Sequence, residues 1–366
     1  MQKLLLMTES NFLPNYRLIT LENGKVSWAS PSNIALVKYW GKKEHQIPEN
    51  PSISFTLDAC KTETELVFEA RTNTEDSFSF DVFFKGEKNE AFKPKIETFF
   101  KRIQDYLPFL KRYHFTINTA NTFPHSSGIA SSASGMSALA LCLMSIEKQF
   151  NPEITTAYFN KKASFLARLG SGSACRSIEG DLVVWGQHND IEESSDLYGV
   201  KFTSEVHPVF KNYNDTILLV DKGEKQVSST VGHNLMYNHP YAQNRFKQAV
   251  ENITAMKTIL KSGDLKAFIA LLESEALTLH AMMMTSMPYF ILMKPNTLEI
   301  INKIWEFRAQ TGLHLGFTLD AGANVHVLFP DSEADKINEF INKELVAYCQ
   351  NGHYICDKIG FGAKQL

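Results

Sequence analysis

The chain has 366 residues, 44% of them hydrophobic and 21% charged, with a formal net charge of −3. That length exceeds one ordinary core and implies a globular chain of two domains, and a charge so near neutral removes the electrostatic case for nucleic acid. Five widely spaced cysteines (Cys60, Cys142, Cys175, Cys349, Cys356) form no CxxC pair, which points to neither a zinc site nor a disulfide framework.

A reducing, cytoplasmic setting is therefore expected. No apolar run reaches the length of a bilayer span, and the apolar start MQKLLL is shorter than a signal-peptide core, so no membrane association is expected. Residues 1–24 read as an irregular extension, with turn signals at Pro14-Asn15 and Asn23-Gly24. A strand from Lys25 leads into ASPSNIALVKYWGKKE, residues 29–44. Here Lys38 and Lys42 bracket Tyr39-Trp40. Rings for shape and ammonium groups for charge suit a phosphorylated ligand, although a surface loop would show the same composition. Alternation predicts strands over 52–57, 62–70 and 77–84, helical spacing covers 96–110, and a further strand spans 113–118.

Residues 121–141, NTFPHSSGIASSASGMSALAL, offer the most chemistry. Small residues give way to apolar ones at helical spacing, so a loop opens a helix that runs to about Glu147. Small side chains let a ligand approach the backbone. The first N–H groups of a helix lack internal partners and sit at the positive end of its dipole, so a phosphate fits there. No Gly-Lys-Ser/Thr follows the glycines, which excludes a Walker A loop. A serine-rich N-cap before a buried helix would look alike.

A helix over 154–169 runs into GSGSACRSIEGDLVVWG, residues 170–186, where Arg176 stands among small groups. Such an arginine is poised to fork onto a carboxylate or phosphate, or else to cap the preceding helix. A strand covers 181–185, and the acidic loop 190–204 suits a domain boundary. There follow a strand over 216–220, the polar loop DKGEKQVSSTVGH and helices over 241–261 and 265–278. The Met-rich MMMTSMPYF reads as core filler. After a helix over 297–311, LGFTLDAGANVHVLF reads as strand, tight turn and strand, with Asp320 heading the turn. Aspartate there is also a simple turn former. A helix over 334–349 and a strand over 354–361 close the chain.

Taken together, ASPSNIALVKYWGKKE, FPHSSGIASSASG, GSGSACRSIEG and TLDAGANVHVLF resemble the diphosphomevalonate decarboxylases. Those belong to the superfamily of galactokinase, homoserine kinase, mevalonate kinase and phosphomevalonate kinase (GHMP). The resemblance implies a two-domain α+β fold of the GHMP-kinase type: residues 1–24 an extension, 25–205 an ATP-binding domain like ribosomal protein S5 domain 2, and 206–366 a ferredoxin-like layer. It implies ATP and Mg2+ as cofactors, mevalonate 5-diphosphate as substrate and a homodimer. Asp320 would handle the substrate hydroxyl proton, Arg176 would clamp the carboxylate, Asn33 would hold carboxylate or hydroxyl, and Lys38 would lie beside Asp320. Tyr39, Trp40, Lys42, Ser173, Ser228, Ser229 and Thr230 would line the substrate. Ser127, Gly128, Ile129, Ala130, Ser131, Ser132 and Ala133 would cradle ATP, with Ser132 turned toward the metal. His125-Ser126 and His233 depart from the family's usual Thr-Ala and Met. A kinase that stops after phosphorylation, a decarboxylase acting on the monophosphate, and a nucleotide-binding module without turnover are the alternatives. The last predicts a broken catalytic set, whereas Asp320, Arg176 and Lys38 are all present.

Overall fold

One strand organises the larger sheet of the computed structural model, which describes residues 7–72, 76–124, 129–222 and 229–366, with 229 and 230 as backbone only. This strand, β2 (Ser52–Ala70), follows β1 (Gly24–Val37) and runs for 19 residues where two separate strands are expected from the sequence. Its second half buries Cys60, Thr62, Thr64, Leu66 and Phe68 in strict alternation, the period of a sheet with one covered face. Its first half, 52–57, is buried throughout. The first half is covered on its second face as well, where Phe55 packs against Tyr213 and Phe268, and the pairing with β1 slips near Pro31, which has no N–H for the ladder, and again near Ala35.

The same sheet holds β3 (Ser79–Phe84), β4 (Glu87–Lys88), β5 (Tyr113–Asn121), β6 (Leu182–Trp185), β7 (Val200–Lys201) and β12 (Lys364–Gln365). Its order is β12-β1-β2-β5-β3-β4, with β6 joined to the first half of β2 and β7 beyond it. A second sheet is built from β8 (Tyr213–Leu218), β9 (Gly316–Thr318), β10 (Val325–Pro330) and β11 (Tyr354–Lys358), in the order β11-β8-β10-β9. Both are antiparallel apart from the β3–β5 pair, as an α+β chain requires.

The helices are α1 (Lys93–Ile103), α2 (Ser131–Phe150), α3 (Thr156–Gly170), α4 (Ser229–Asn234), α5 (Ala242–Ser262), α6 (Leu265–Met284), α7 (Pro295–Thr311) and α8 (Ala334–Phe340). α1 stops short of the expected 110 because Pro108 cannot continue it, and a 3-10 turn, Pro108–Lys111, follows. The helix expected over 334–349 breaks after Phe340 into a π turn and a 3-10 turn. α6 continues past 278 through the Met run, where Met282 and Met283 are buried as filler, but Met284, Met287 and Tyr289 are exposed because the chain leaves the core at the end of α6. α6 is long and apolar enough to cross a membrane, which the sequence reading excluded, but it is a core helix that buries Glu273, Glu275 and His280.

One apolar core runs from α1, α2 and α3 under the large sheet to α5 and α6, and a second lies under the smaller sheet. The segment read as an extension is part of the first. Phe12 is fully buried, stacked on Phe165 at 4.4 Å, while Tyr16 donates to Glu147 at 2.9 Å. The two sheets meet at one corner. There the Asp357 carboxylate, on β11, accepts the N–H groups of Asp58, Ala59 and Cys60 on β2 at 2.9, 2.7 and 2.7 Å.

Candidate active site

α2 begins at Ala130, whose φ of 42° is left-handed and whose methyl cannot cap the helix. Ser32 holds the approach by donating to the Ile129 carbonyl at 2.6 Å. The helix N-terminus, with Ser131, Ser132 and Ala133 in its first turn, therefore stands ready for an anion. Lys95 on α1 donates to the Ser132 hydroxyl at 2.8 Å. Burial lowers the pKa of Lys95, and the neighbouring Lys42 lowers it further. Lys42 is lowered by burial and then by Arg102, and its ammonium donates to Gln46 at 3.0 Å. Lys95 thus stands at the opening of α2 with Lys42 close enough to feel its charge, and Arg102 acts on Lys42 from the Leu169 carbonyl. A polyanion relieves their mutual repulsion. Ser127, Gly128 and Ser228 lie outside the described residues, as do the side chains of Ser229 and Thr230.

Lys38, at the end of β1, is buried and its ammonium lies 3.4 Å from Asp320 Oδ1, in the β9–β10 turn. Burial lowers the Lys38 pKa, and the charges of Asp320 and Glu275 oppose that. Asp320 keeps 29% of its side chain accessible, so a ligand can reach it. Its carbonyl faces His280 Nε2 at 3.1 Å. Burial depresses His280 to about 4, which keeps the ring neutral.

Arg176 sits in a 3-10 turn, Gly172–Ser177, and is almost wholly buried. Its Nη1 donates to Ser52 Oγ at 2.5 Å, its Nε donates to Asn33 Oδ1 at 3.3 Å, and its guanidinium stands 5.8 Å from the Trp185 ring centre. Desolvation lowers its pKa, and Asp320 is among the charges that raise it. Asn33 donates to Ser177 Oγ at 2.7 Å and to the Ser173 carbonyl at 3.2 Å. Its amide is occupied at both ends, so it orients Arg176 rather than reaching for a ligand.

Tyr39 packs between Trp185 (4.6 Å) and His233 (4.3 Å), and its hydroxyl is buried with no hydrogen-bond partner among the described residues. A side chain at Gly172 would put its Cβ 2.9 Å from that hydroxyl, so the close approach requires glycine. Trp40 departs from its expected place on the substrate. It is buried in an apolar cluster with Met236, Leu279 and Met283, because its indole fills the gap beneath α6. His233 accepts the Gly41 N–H at 3.0 Å and so pins the loop after Trp40.

Besides Lys95 and Ser52, four residues around Lys38 and Asp320 escape a reading of the sequence. Glu275 on α6 accepts the Lys38 N–H at 2.8 Å, and Arg245 on α5 donates to the Lys38 carbonyl at 3.1 Å. Arg245 and Glu275 pair at 2.5 Å with side chains at most 1% exposed. Asn50 donates to the Lys38 carbonyl at 2.9 Å, and His280 supports Asp320. A charged residue buried in an amphipathic helix has no local signal other than its break in the apolar pattern.

A helix N-terminus opened by small residues, Lys95 at its first turn and a facing lysine–aspartate pair define a phosphate-handling protein of the α+β GHMP class. Comparison with known proteins specifies which one. Residues 30–196 match the diphosphomevalonate decarboxylase-like N-terminal domain, and residues 216–359 match the mevalonate 5-diphosphate decarboxylase C-terminal domain. The chain belongs to the diphosphomevalonate decarboxylase family. It is 29% identical to the diphosphomevalonate decarboxylase of Ganoderma lucidum, over 86% of this chain and 80% of that relative. It is 28% identical to the human one, over 86% of this chain and 78% of that relative. Among solved structures, mevalonate diphosphate decarboxylase from Staphylococcus aureus superposes with a TM-score of 0.79 at 27% identity, over 94% of this chain and 98% of the other. A complex of the protein MDDEF with MVAPP, AMPPCP and magnesium gives 0.79 at 26% identity, over 93% and 98%.

Proposed function

We infer that the protein catalyses the ATP-dependent decarboxylation of mevalonate 5-diphosphate to isopentenyl diphosphate, with release of ADP, phosphate and CO2. What supports this most is the convergence of Lys38, Arg176 and Asp320 beside the opening of α2.

The substrate's tertiary hydroxyl is a poor leaving group until it is phosphorylated. Asp320 accepts the hydroxyl proton as the oxygen attacks the γ-phosphorus and ADP departs. Lys38, 3.4 Å away, steadies the carboxylate before the proton arrives. Arg176 holds the substrate carboxylate, oriented by Asn33 and Ser52. The C–O bond to the new phosphate then breaks. The electron pair of the bond to the carboxyl carbon forms the alkene, and CO2 leaves. The first turn of α2, Lys95 and Lys42 receive the phosphates. Among the described residues no group of three or more His, Cys, Asp or Glu is placed to hold a metal, so magnesium would be held chiefly by phosphate oxygens and would neutralise their charge. Ser132, in the first turn of α2, would offer such an ion a hydroxyl oxygen that already accepts from Lys95.

We place the protein in the cytoplasm, since all five cysteines are free, and as a homodimer, which sedimentation would test. The deciding assay follows ADP and CO2 together with mevalonate, its 5-phosphate and its 5-diphosphate. CO2 from the diphosphate is expected. ADP without CO2 would make the protein a kinase, and CO2 from the monophosphate would change the substrate. Arg176→Lys should lower CO2 and ADP together, because lysine lacks the fork that places the substrate. Normal turnover by that variant would put the carboxylate clamp elsewhere.

A further inference from the structure

We propose that helix α6 is the gauge that sets the Lys38–Asp320 pair, with Glu275, its partner Arg245, and His280 as positioning residues; the proposal rests on the function inferred above. Lys38 comes from β1, whereas Asp320 lies in the turn between β9 and β10, 282 residues later. Nothing local holds two such distant groups at a working separation. α6 touches both. Glu275 Oε2 accepts the peptide N–H of Lys38 at 2.8 Å, and five residues further on His280 Nε2 stands 3.1 Å from the carbonyl of Asp320. A carbonyl can only accept, so Nε2 is the nitrogen that carries the hydrogen. A neutral His280 keeps a positive charge away from the backbone of Asp320.

Arg245 completes the grip. Its Nη2 donates both to Glu275 Oε2 at 2.5 Å and to the Lys38 carbonyl at 3.1 Å, while its Nη1 donates to Glu275 Oε1 at 3.0 Å. Asn252 donates to the same Oε1 at 2.5 Å. The N–H and C=O of Lys38 are therefore both bonded from α5 and α6, and Asn50 adds a second donor to its carbonyl. Burying an arginine and a glutamate costs desolvation that two well-packed apolar side chains would avoid. Apolar groups would join α5 to α6 as well. They could not hydrogen-bond the peptide of Lys38, and that is what the charged pair adds.

The test is the double variant Arg245→Met/Glu275→Met, which removes both charges together and leaves neither one alone in the core. It should melt near wild type and keep its KM for ATP within about twofold. Its kcat should fall about a hundredfold, as misplaced reacting groups do. Adding Lys38→Met to that background should cost little more, while the same change in the wild type should cost nearly the full loss. Wild-type kcat in the double variant, or losses that multiply independently, would overturn the proposal. Arg245→Lys is the second arm, because it keeps the charge and the fold but loses the fork. In ligand-free, lysine-labelled protein, Asp320→Asn should shift the Lys38 13Cε resonance in the wild type, and much less in either clamp variant. An equal shift in the variants would also overturn it. That readout needs no turnover, so it stands even where the wild type releases no CO2 and the functional reading is the one that fails.

Discussion

Two ion pairs in this molecule are chemically alike and equally buried, yet they serve different ends. Glu147 and Lys162 join α2 to α3 at 2.5 Å with both side chains 1% exposed. Glu275 and Arg245 join α6 to α5 at 2.5 Å and are buried to the same degree. The difference lies in what the remaining lone pairs and protons touch. Glu147 also accepts from Tyr16, and Lys162 also donates to the Tyr106 carbonyl, so that pair ties the N-terminal segment to the helical layer. Glu275 and Arg245 bond the backbone of Lys38. Burial raises the pKa of Glu147 and lowers that of Lys162, and the charge of each opposes the shift in the other. Burial alone, then, does not mark a functional pair; its other contacts do.

The contrast can be broken most forcefully at Lys162. Lys162→Met leaves Glu147 buried without its partner and should cost about 3–5 kcal/mol of stability. The kcat of the folded fraction should hold. A variant that melts normally but turns over slowly would put this pair in the site too. The next effect is on pH. His280 has a folded pKa of about 4 against an ordinary 6.5, so the unfolded chain takes up the proton first. The stability owed to its neutral ring is complete above about pH 6.5 and is lost as pH falls toward 4, on the order of 3 kcal/mol. Urea midpoints at pH 7 and pH 4.5 should therefore fall further in the wild type than in His280→Gln; parallel falls would refute the assignment.

Asp320→Asn keeps shape and removes basicity. Its kcat should drop at least a hundredfold, about 2.7 kcal/mol, with ATP affinity unchanged. Retention of more than about a tenth of the activity would remove Asp320 from the chemistry. The smallest effect is expected from Ser132→Ala, which takes a hydroxyl from the first turn of α2. The kcat/KM for ATP should fall about tenfold, the worth of one hydrogen bond to a charged group at about 1.5 kcal/mol. An unchanged value would leave that hydroxyl a partner of Lys95 only.

Much of this is legible in the sequence where the signal is local. Small residues announce the opening of α2, Asp320 sits in a tight turn between two strands, and Arg176 stands out among glycines and serines. What stays hidden depends on contacts across the chain. Glu275 is 237 residues from Lys38, and on α6 it resembles any solvated glutamate until the fold buries it. Asn33 looks free to bind a ligand, and only the 3-10 turn of residues 172–177 shows both ends of its amide occupied. Trp40 beside two lysines looks like a ligand platform, but the helices above it claim its indole. Residues 58–61 look like a break between two strands, but the N–H groups of 58–60 go to a carboxylate from far along the chain and Lys61 pairs with Pro31 of β1.

That carboxylate makes the corner a fulcrum. Asp357 binds three successive N–H groups of β2, and Gly360 adds a main-chain bond to Thr56 at 2.8 Å. Swinging one sheet against the other about any distant axis would tear several charge-assisted bonds at once. Closure over a ligand must therefore leave this point still, and with it the start of α2, which Ser134 ties to Thr62 of β2 at 2.6 Å. Amide exchange at Asp58, Ala59 and Cys60 should be slow and indifferent to nucleotide, while the first turn of α2 should become protected when nucleotide binds.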